Sequence, residues 1–128
     1  PRLSPINLKR LEYIKPGGNW TDIPDELLPK GMQKARKSDH TKRYGRVLPD
    51  GLASTILTKC DPHWGAFFHY EQNRSFTVRE AARLQSFPDH FVFIGNLAEQ
   101  FAQVGNAVPP LLAQAVGLSL RSVLETED

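Results

Sequence analysis

One cysteine and one methionine are all the sulfur that this 128-residue chain contains. A single thiol, Cys60, closes no disulfide within the chain and by itself makes no cysteine-rich zinc site, which suits a reducing compartment. Long hydrophobic runs are missing too. No uninterrupted apolar run approaches the roughly 18 residues of a membrane span, and nothing near the N-terminus has the zones of a signal peptide. These absences predict an intracellular protein that works away from membranes. There is no internal repeat or low-complexity tract, and the length predicts one domain or the end of a larger one. Because the chain starts on Pro1 instead of Met, its natural N-terminus is expected upstream.

What is present in quantity is turn chemistry, with ten prolines and nine glycines, so much of the backbone is expected to be irregular. Charge is scarce in sum and uneven in placement. The net value is +2, yet residues 30–46, KGMQKARKSDHTKRYGR, hold seven of the sixteen Lys and Arg and one of the fourteen acids. That block is +6 and the remainder −4. With Tyr44 inside it and Lys34, Arg36 and Lys37 at its centre, it suits a phosphate backbone, where each neutralised phosphate releases counterions. A solvated loop is the other reading of the same run.

The first half of the chain reads as irregular. Ser4, Pro5 and the spacing of Leu8, Leu11 and Ile14 predict a short helix over 4–14, and a second short helical stretch is expected at 25–28. RYGRV and STILT, on either side of Pro49-Asp50-Gly51, predict two strands, and GAFFHY at 65–70 a third. The second half is more regular. Thr77 with Glu80 forms a capping box, in which the Thr hydroxyl accepts from the Glu80 N–H and the carboxylate accepts from the Thr77 N–H. A helix therefore starts at Val78 and stops near Ser86, before Pro88. Asn96 with Glu99 repeats that chemistry for a helix over LAEQFAQV, with Gly105 expected as its left-handed C-terminal cap. Pro109 and Pro110 start a third helix, whose stripe of Leu112, Val116, Leu120 and Val123 predicts core packing. Asn106 lies on the tight turn between these helices. Free donors beside a helix N-terminus suit an anionic group, and a plain left-handed turn is the alternative for an Asn.

RSFTVREAARLQSFPDHF, residues 74–91, resembles the ninth shared motif of DNA (cytosine-5) methyltransferases, and QVGNAVPPLLAQAVG, residues 103–117, resembles the tenth. GGNWTDIP at 17–24 and YGRVLPDGLASTILTK at 44–59 are similar to the variable target-recognition region before the ninth motif. The resemblance implies an α+β fold: a small irregular recognition domain followed by C-terminal helices. The last helix would pack on a Rossmann-like S-adenosyl-L-methionine (AdoMet) domain that this chain lacks. Residues 1–73 would be part of the recognition region, 74–95 the ninth-motif helix and turn, and 96–128 the tenth-motif region and final helix.

In that family a cysteine thiolate adds to C6 of a flipped-out cytosine, and C5 then takes the methyl of AdoMet; a base inside the duplex stack is out of reach of such chemistry. The family's Pro-Cys nucleophile, its Glu-Asn-Val stretch and its Phe-x-Gly-x-Gly loop are all absent. Cys60 sits in Lys59-Cys60-Asp61-Pro62, where Lys59 is placed to depress its pKa but no base is placed beside it, so the chain alone is expected to be inactive. The resemblance assigns no catalytic residue here. It carries Asn106 and Ala107 to the AdoMet wall, and Thr55, with Ile56 beside it, to the DNA backbone. Lys59, His63 and Trp64 would follow on the recognition loop, reaching base edges or stacking on unpaired bases. For Thr55 a strand threonine without ligand, for Trp64 a core aromatic and for His63 a plain surface residue stay open. Thr77, Arg79, Glu80 and Arg83 match the ninth motif and are read as structural. His40, His63 and His69 with Cys60 match no zinc spacing, so no metal is expected.

The expected function is thus the DNA-recognition segment of a cytosine-5 methyltransferase. Its partners would be double-stranded DNA and a catalytic domain upstream or on a separate subunit, in a restriction-modification setting or another. The alternatives are a natural subunit of a split methyltransferase and a non-catalytic DNA-binding module. In a lone module the helix from Pro109 to Leu124 would be left partly uncovered, which predicts weak stability or self-association.

Overall fold

Prolines and capping side chains set where the helices begin. In the computed structural model, which describes residues 2–61 and 63–126, helix α1 runs Pro5–Leu11, α2 Val78–Leu84, α3 Leu97–Asn106 and α4 Pro110–Glu125. Ser4 is extended before α1 as expected, but its hydroxyl makes no cap bond; the proline alone starts the helix. Ile14 reaches the core from beyond the end of α1. Two single 3-10 turns follow, Trp20–Asp22 and Asp25–Leu27. The second was expected. The first begins at a capping box, Asn19 with Asp22, where Asn19 N–H donates to Asp22 Oδ2 at 3.1 Å and Thr21 N–H to Asn19 Oδ1 at 2.9 Å.

Two apolar clusters form the interior. Leu11, Ile14, Trp20, Ile23, Leu28, Met32, Tyr44 and Phe68 make the N-terminal one. The second brings Ile56, Cys60, Phe67 and Phe76 onto α2 (Ala81, Ala82) and α3 (Phe101, Val104), with Phe93. Phe67 and Phe68 are consecutive and belong to different clusters, because neighbouring side chains of an extended segment point to opposite sides. That segment is the partition between the cores.

The three expected strands form no ladder among the described residues. Single bridges join Phe68 to Arg46 in parallel and to Ser75 in antiparallel sense. The chain leaves Arg46 for the exposed turn at Leu48–Gly51 before a second pair of bonds can form. STILT does alternate, with Ile56 buried between exposed Thr55 and Leu57, but no strand lies beside it among the described residues. Helix α3 does: a Cβ added to Gly105 would lie 2.5 Å from both Leu57 C and Thr58 N. Gly105 is therefore an interior helical residue chosen for close backbone approach, and the left-handed cap expected of it is absent.

Arg46 also departs from the reading of the basic block as one surface. It is 6% exposed, and its guanidinium donates to Ile14 O (2.7 Å), Leu11 O (2.9 Å), His69 O (2.9 Å) and Asn73 Oδ1 (2.8 Å). It ties the end of α1 to the loop after Phe68. Tyr44, expected among the phosphate-facing residues, is fully buried in the N-terminal core with a left-handed backbone (φ 52°).

The stripe on α4 was expected to be core, and none of its residues is buried. Leu112 is 54% exposed and Leu120 61%, and nothing among the described residues covers them. By average hydropathy and length the stretch Leu97–Glu125 would qualify as a membrane span, which the absence of an uninterrupted apolar run did not foresee. It is two helices, broken at Ala107–Pro109, and Phe101 and Val104 of the first are in the core. Helix α4 alone is about 24 Å long, short of the roughly 30 Å hydrocarbon layer.

Candidate functional site

The segment from Thr55 to Trp64 alternates anchors with exposed groups. Ile56 and Cys60 point into the core; Thr55, Lys59, His63 and Trp64 are exposed. Burial pushes the Cys60 thiol up to about 12, so Lys59 does not activate it as its position suggested. A thiol held neutral and covered is a packing group. His63 spends both ring nitrogens within the chain: Nδ1 is 2.9 Å from Asp61 Oδ1 and Nε2 is 2.7 Å from the Tyr44 hydroxyl. Trp64, beside it, is 62% exposed, which removes the core-aromatic reading, and the guanidinium of Arg43 lies over its ring 5.1 Å from the centroid.

Lys34, Arg36 and Lys37 are exposed on a succession of turns moored by buried Met32 and half-buried Ala35. No hydrogen bond or ion pair from their side chains is found among the described residues, and none ties them to the 55–64 segment.

The ninth-motif residues brace the second core. Thr77 N–H donates to Glu80 Oε2 (2.8 Å) and Glu80 N–H to Thr77 Oγ1 (3.2 Å), completing the expected capping box. Arg74, which the sequence reading passed over, grips the same carboxylate with two bonds of 2.7 Å. This pair, with the Thr77 donors, lowers the Glu80 pKa to about 2. Arg79 donates to Phe91 O (2.8 Å) and lies over the Phe93 ring, while Arg83 forks onto Asp89 at 2.8 and 2.9 Å.

The turn between α3 and α4 is held from α2's end. Gln85 Nε2 donates to Val104 O (3.1 Å) and Ala107 O (3.2 Å), and the Leu111 N–H donates to Ser86 Oγ (3.1 Å). Ser86 takes a left-handed backbone (φ 64°) to present that oxygen. Asn106 closes α3 outside the left-handed region, exposed, and its carboxamide has no partner among the described residues. Through Gly105, this turn lies against Leu57–Thr58, so Thr55, Lys59, Asn106 and Ala107 fall on adjoining segments. Neither Gln85 nor Ser86 carried a sequence signal for this, because their partners are 19 to 25 residues away.

Exposed cations and an aromatic ring lie on one loop surface with a polar turn between helices beside it, and the thiol among them is buried. The chain belongs to the C-5 cytosine-specific DNA methylase family, whose model matches residues 8–122. It is 39% identical to the Type II methylase M.HgiDII of Herpetosiphon aurantiacus, over 97% of this chain and 36% of that protein. It is 46% identical to the Type II methyltransferase M1.HphI of Haemophilus parahaemolyticus, over 85% of this chain and 26% of the relative. A plant relative, DNA (cytosine-5)-methyltransferase 3 of Arabidopsis thaliana, is 38% identical over 96% of the chain and 10% of its own length. The chain thus spans about a third or less of these relatives.

Proposed function

We propose that this chain is the C-terminal, DNA-recognising part of a DNA (cytosine-5)-methyltransferase, with the catalytic residues supplied by an upstream domain or a separate subunit. The family match over residues 8–122, on a chain without a Pro-Cys pair, carries the reading. In this division residues 1–73 recognise DNA, 74–95 brace them, and 96–128 meet the catalytic part; the architecture is α+β once the recognition region is complete. The uncovered apolar face of α4 supports the last assignment, since contiguous exposed apolar faces normally mark an interface. Such a protein works on double-stranded DNA inside the cell.

The residues present fit one edge of an AdoMet pocket. Asn106 offers an unengaged donor and acceptor, and Ala107 leaves room for a ligand beside a turn that Gln85 and Ser86 hold in place. AdoMet, when bound, supplies the methyl group. Thr55 and Lys59, with Lys34, Arg36 and Lys37, are free to meet the DNA backbone, and His63 positions Trp64.

Incubating the native protein with radiolabelled AdoMet and DNA should label cytosine C5, and absence of label in the presence of every co-purifying subunit would sink the reading. In that assay Asn106→Ala should raise the KM for AdoMet and leave DNA affinity nearly intact. An immunoblot of the source separates a long single chain from a subunit of this size.

A further inference from the structure

We propose that Arg43, whose guanidinium lies over the indole of Trp64, is a DNA-reading contact of this chain that takes a planar, two-acceptor edge on duplex DNA. The acceptors would be guanine N7 and O6 or the paired oxygens of a phosphate. The inference rests on the reading of the chain as a DNA-recognition segment, and goes beyond it by assigning a residue that neither the family motifs nor the cluster of Lys34, Arg36 and Lys37 includes.

The arginines of this chain differ in what they hold. Arg10, Arg46, Arg74, Arg79, Arg83 and Arg121 each spend their guanidinium on carbonyls, carboxamides or carboxylates. Arg43 has no polar partner for its side chain among the described residues, and its guanidinium is placed over the Trp64 ring, 5.1 Å from the centroid. A guanidinium that packs on a ring and has no polar partner keeps its N–H donors available to a ligand. Those donors form the fork that matches carboxylate, phosphate or guanine, and packing on the ring reduces the rotamer freedom lost on binding.

Hydrogen bonds hold the platform from both sides. On one side the turn 40–43 closes with Arg43 N–H donating to His40 O (2.9 Å), and Trp20 fastens it through N–H to Arg43 O (3.0 Å) and Nε1–H to Asp39 O (3.2 Å). On the other side Trp64 N–H donates to Asp61 O (3.0 Å), and the chain Asp61–His63–Tyr44 links that loop to the turn. His40 and Tyr44, both left-handed at φ 51° and 52°, bracket the turn so that Tyr44 is buried while Arg43 is half-buried. His63 therefore serves as a strut for the platform.

Arg43, Trp64, His40, Thr41 and Lys42 line one open cleft of about 360 Å³. No carboxylate lines it: the Asp61 carboxylate is engaged by His63, and Asp39 lies 3.4 Å from Ser38 Oγ. Cations, a hydroxyl and an aromatic face around an acid-free hollow are the groups that meet phosphates and bases. Lys34, Arg36 and Lys37 lack any such orienting contact, which suits them to diffuse attraction.

The test uses the native enzyme, a duplex library randomised over its centre, and fluorescence anisotropy on the duplex that the wild type selects. Arg43→Ala should bind that duplex about ten- to a hundredfold more weakly. Arg43→Lys, which keeps the charge and loses the planar fork, should recover less than half of the lost binding free energy. Trp64→Leu, at an exposed position, should fold normally and still lose affinity several-fold. If the acceptor is guanine, Arg43→Ala drops one guanine from the selected sequence and 7-deazaguanine at that position reproduces the loss. If it is phosphate, the selected sequence is unchanged and the slope against log salt falls by about 0.9. Arg43→Ala within about twofold of wild type, or full recovery by Arg43→Lys, would overturn the proposal while the wild type still binds DNA. A wild type without DNA affinity would instead overturn the underlying reading, and this one with it.

Discussion

Arg46→Met tests what holds the N-terminal half together. The side chain is 6% exposed, and methionine nearly matches its reach while removing every donor. Five acceptors surround it, the fifth being Gln72 O at 3.3 Å. None is a carboxylate, and burial alone draws the Arg46 pKa below the usual arginine value. The loss is smaller than five bonds. Leu11 O keeps the Ile14 N–H at 3.2 Å, Gln72 O keeps the Arg74 N–H at 2.8 Å, and Asn73 is exposed and can turn to water. Ile14 O and His69 O are left without a donor among the described residues. At about 1–3 kcal/mol per orphaned buried group, offset in part by no longer burying a cation, the net cost is on the order of 3 kcal/mol. Against a total of about 5–15 kcal/mol that is a large share, equivalent to roughly 10 °C in Tm for a chain of this size. The measurement is urea and thermal unfolding by circular dichroism, at concentrations where sedimentation shows a monomer. A loss below about 1 kcal/mol would refute the argument, because the loop after Phe68 would then be held by something other than Arg46. Arg46→Lys, with one compact donor group for several separated carbonyls, should fall between the two.

Gly105→Ala sets a helix-propensity gain of up to about 1 kcal/mol against a Cβ 2.5 Å from backbone atoms of Leu57 and Thr58. Overpacking against backbone costs about 1–3 kcal/mol, so a net loss in thermal stability is expected, and a stabilised variant would show that the 57–58 segment yields freely. Cys60 should resist iodoacetamide at mildly alkaline pH until denaturant is added. With its folded pKa near 12, stability should fall as pH rises above the unfolded thiol value near 9, and Cys60→Ala should lack that component in alkaline denaturation. Glu80 has its folded pKa lowered to about 2, so its contribution is present above the ordinary value of 4.5 and lost as pH falls from there toward 2. Acid titration of Glu80→Gln should show a flatter profile over that window. Replacing Leu112, Val116 and Leu120 together by Ser should abolish self-association of the isolated chain, which sedimentation velocity would show, with little change in its melting because none of the three is buried.

Much of the C-terminal half was legible before any coordinates. The starts of α2 and α3 followed from Thr77 with Glu80 and Asn96 with Glu99, and that of α4 from its prolines, because a cap is closed by groups three residues apart. The expected strands were harder. Alternation in STILT reports one buried side, and here a helix, not a strand, lies next to it. Of the candidate site, Thr55, Lys59 and Asn106 are exposed, while the contacts that Arg43, Gln85 and Ser86 make carried no sequence signal, since their partners are distant in the chain.

Arg43 and Arg46 show where the division falls. The sequence by itself determined the family, the starts of the three C-terminal helices and a local excess of positive charge, all set by residue identity and by contacts within a turn or two. It presents the two arginines as equals, three positions apart in one basic run. Only the tertiary structure separated them, sending Arg46 among the carbonyls of α1 and the loop after Phe68 and leaving Arg43 on the ring of Trp64. The physical reason is burial. Whether a charge can leave water depends on acceptors brought in from some 23 to 35 residues away, and no local pattern encodes their arrival.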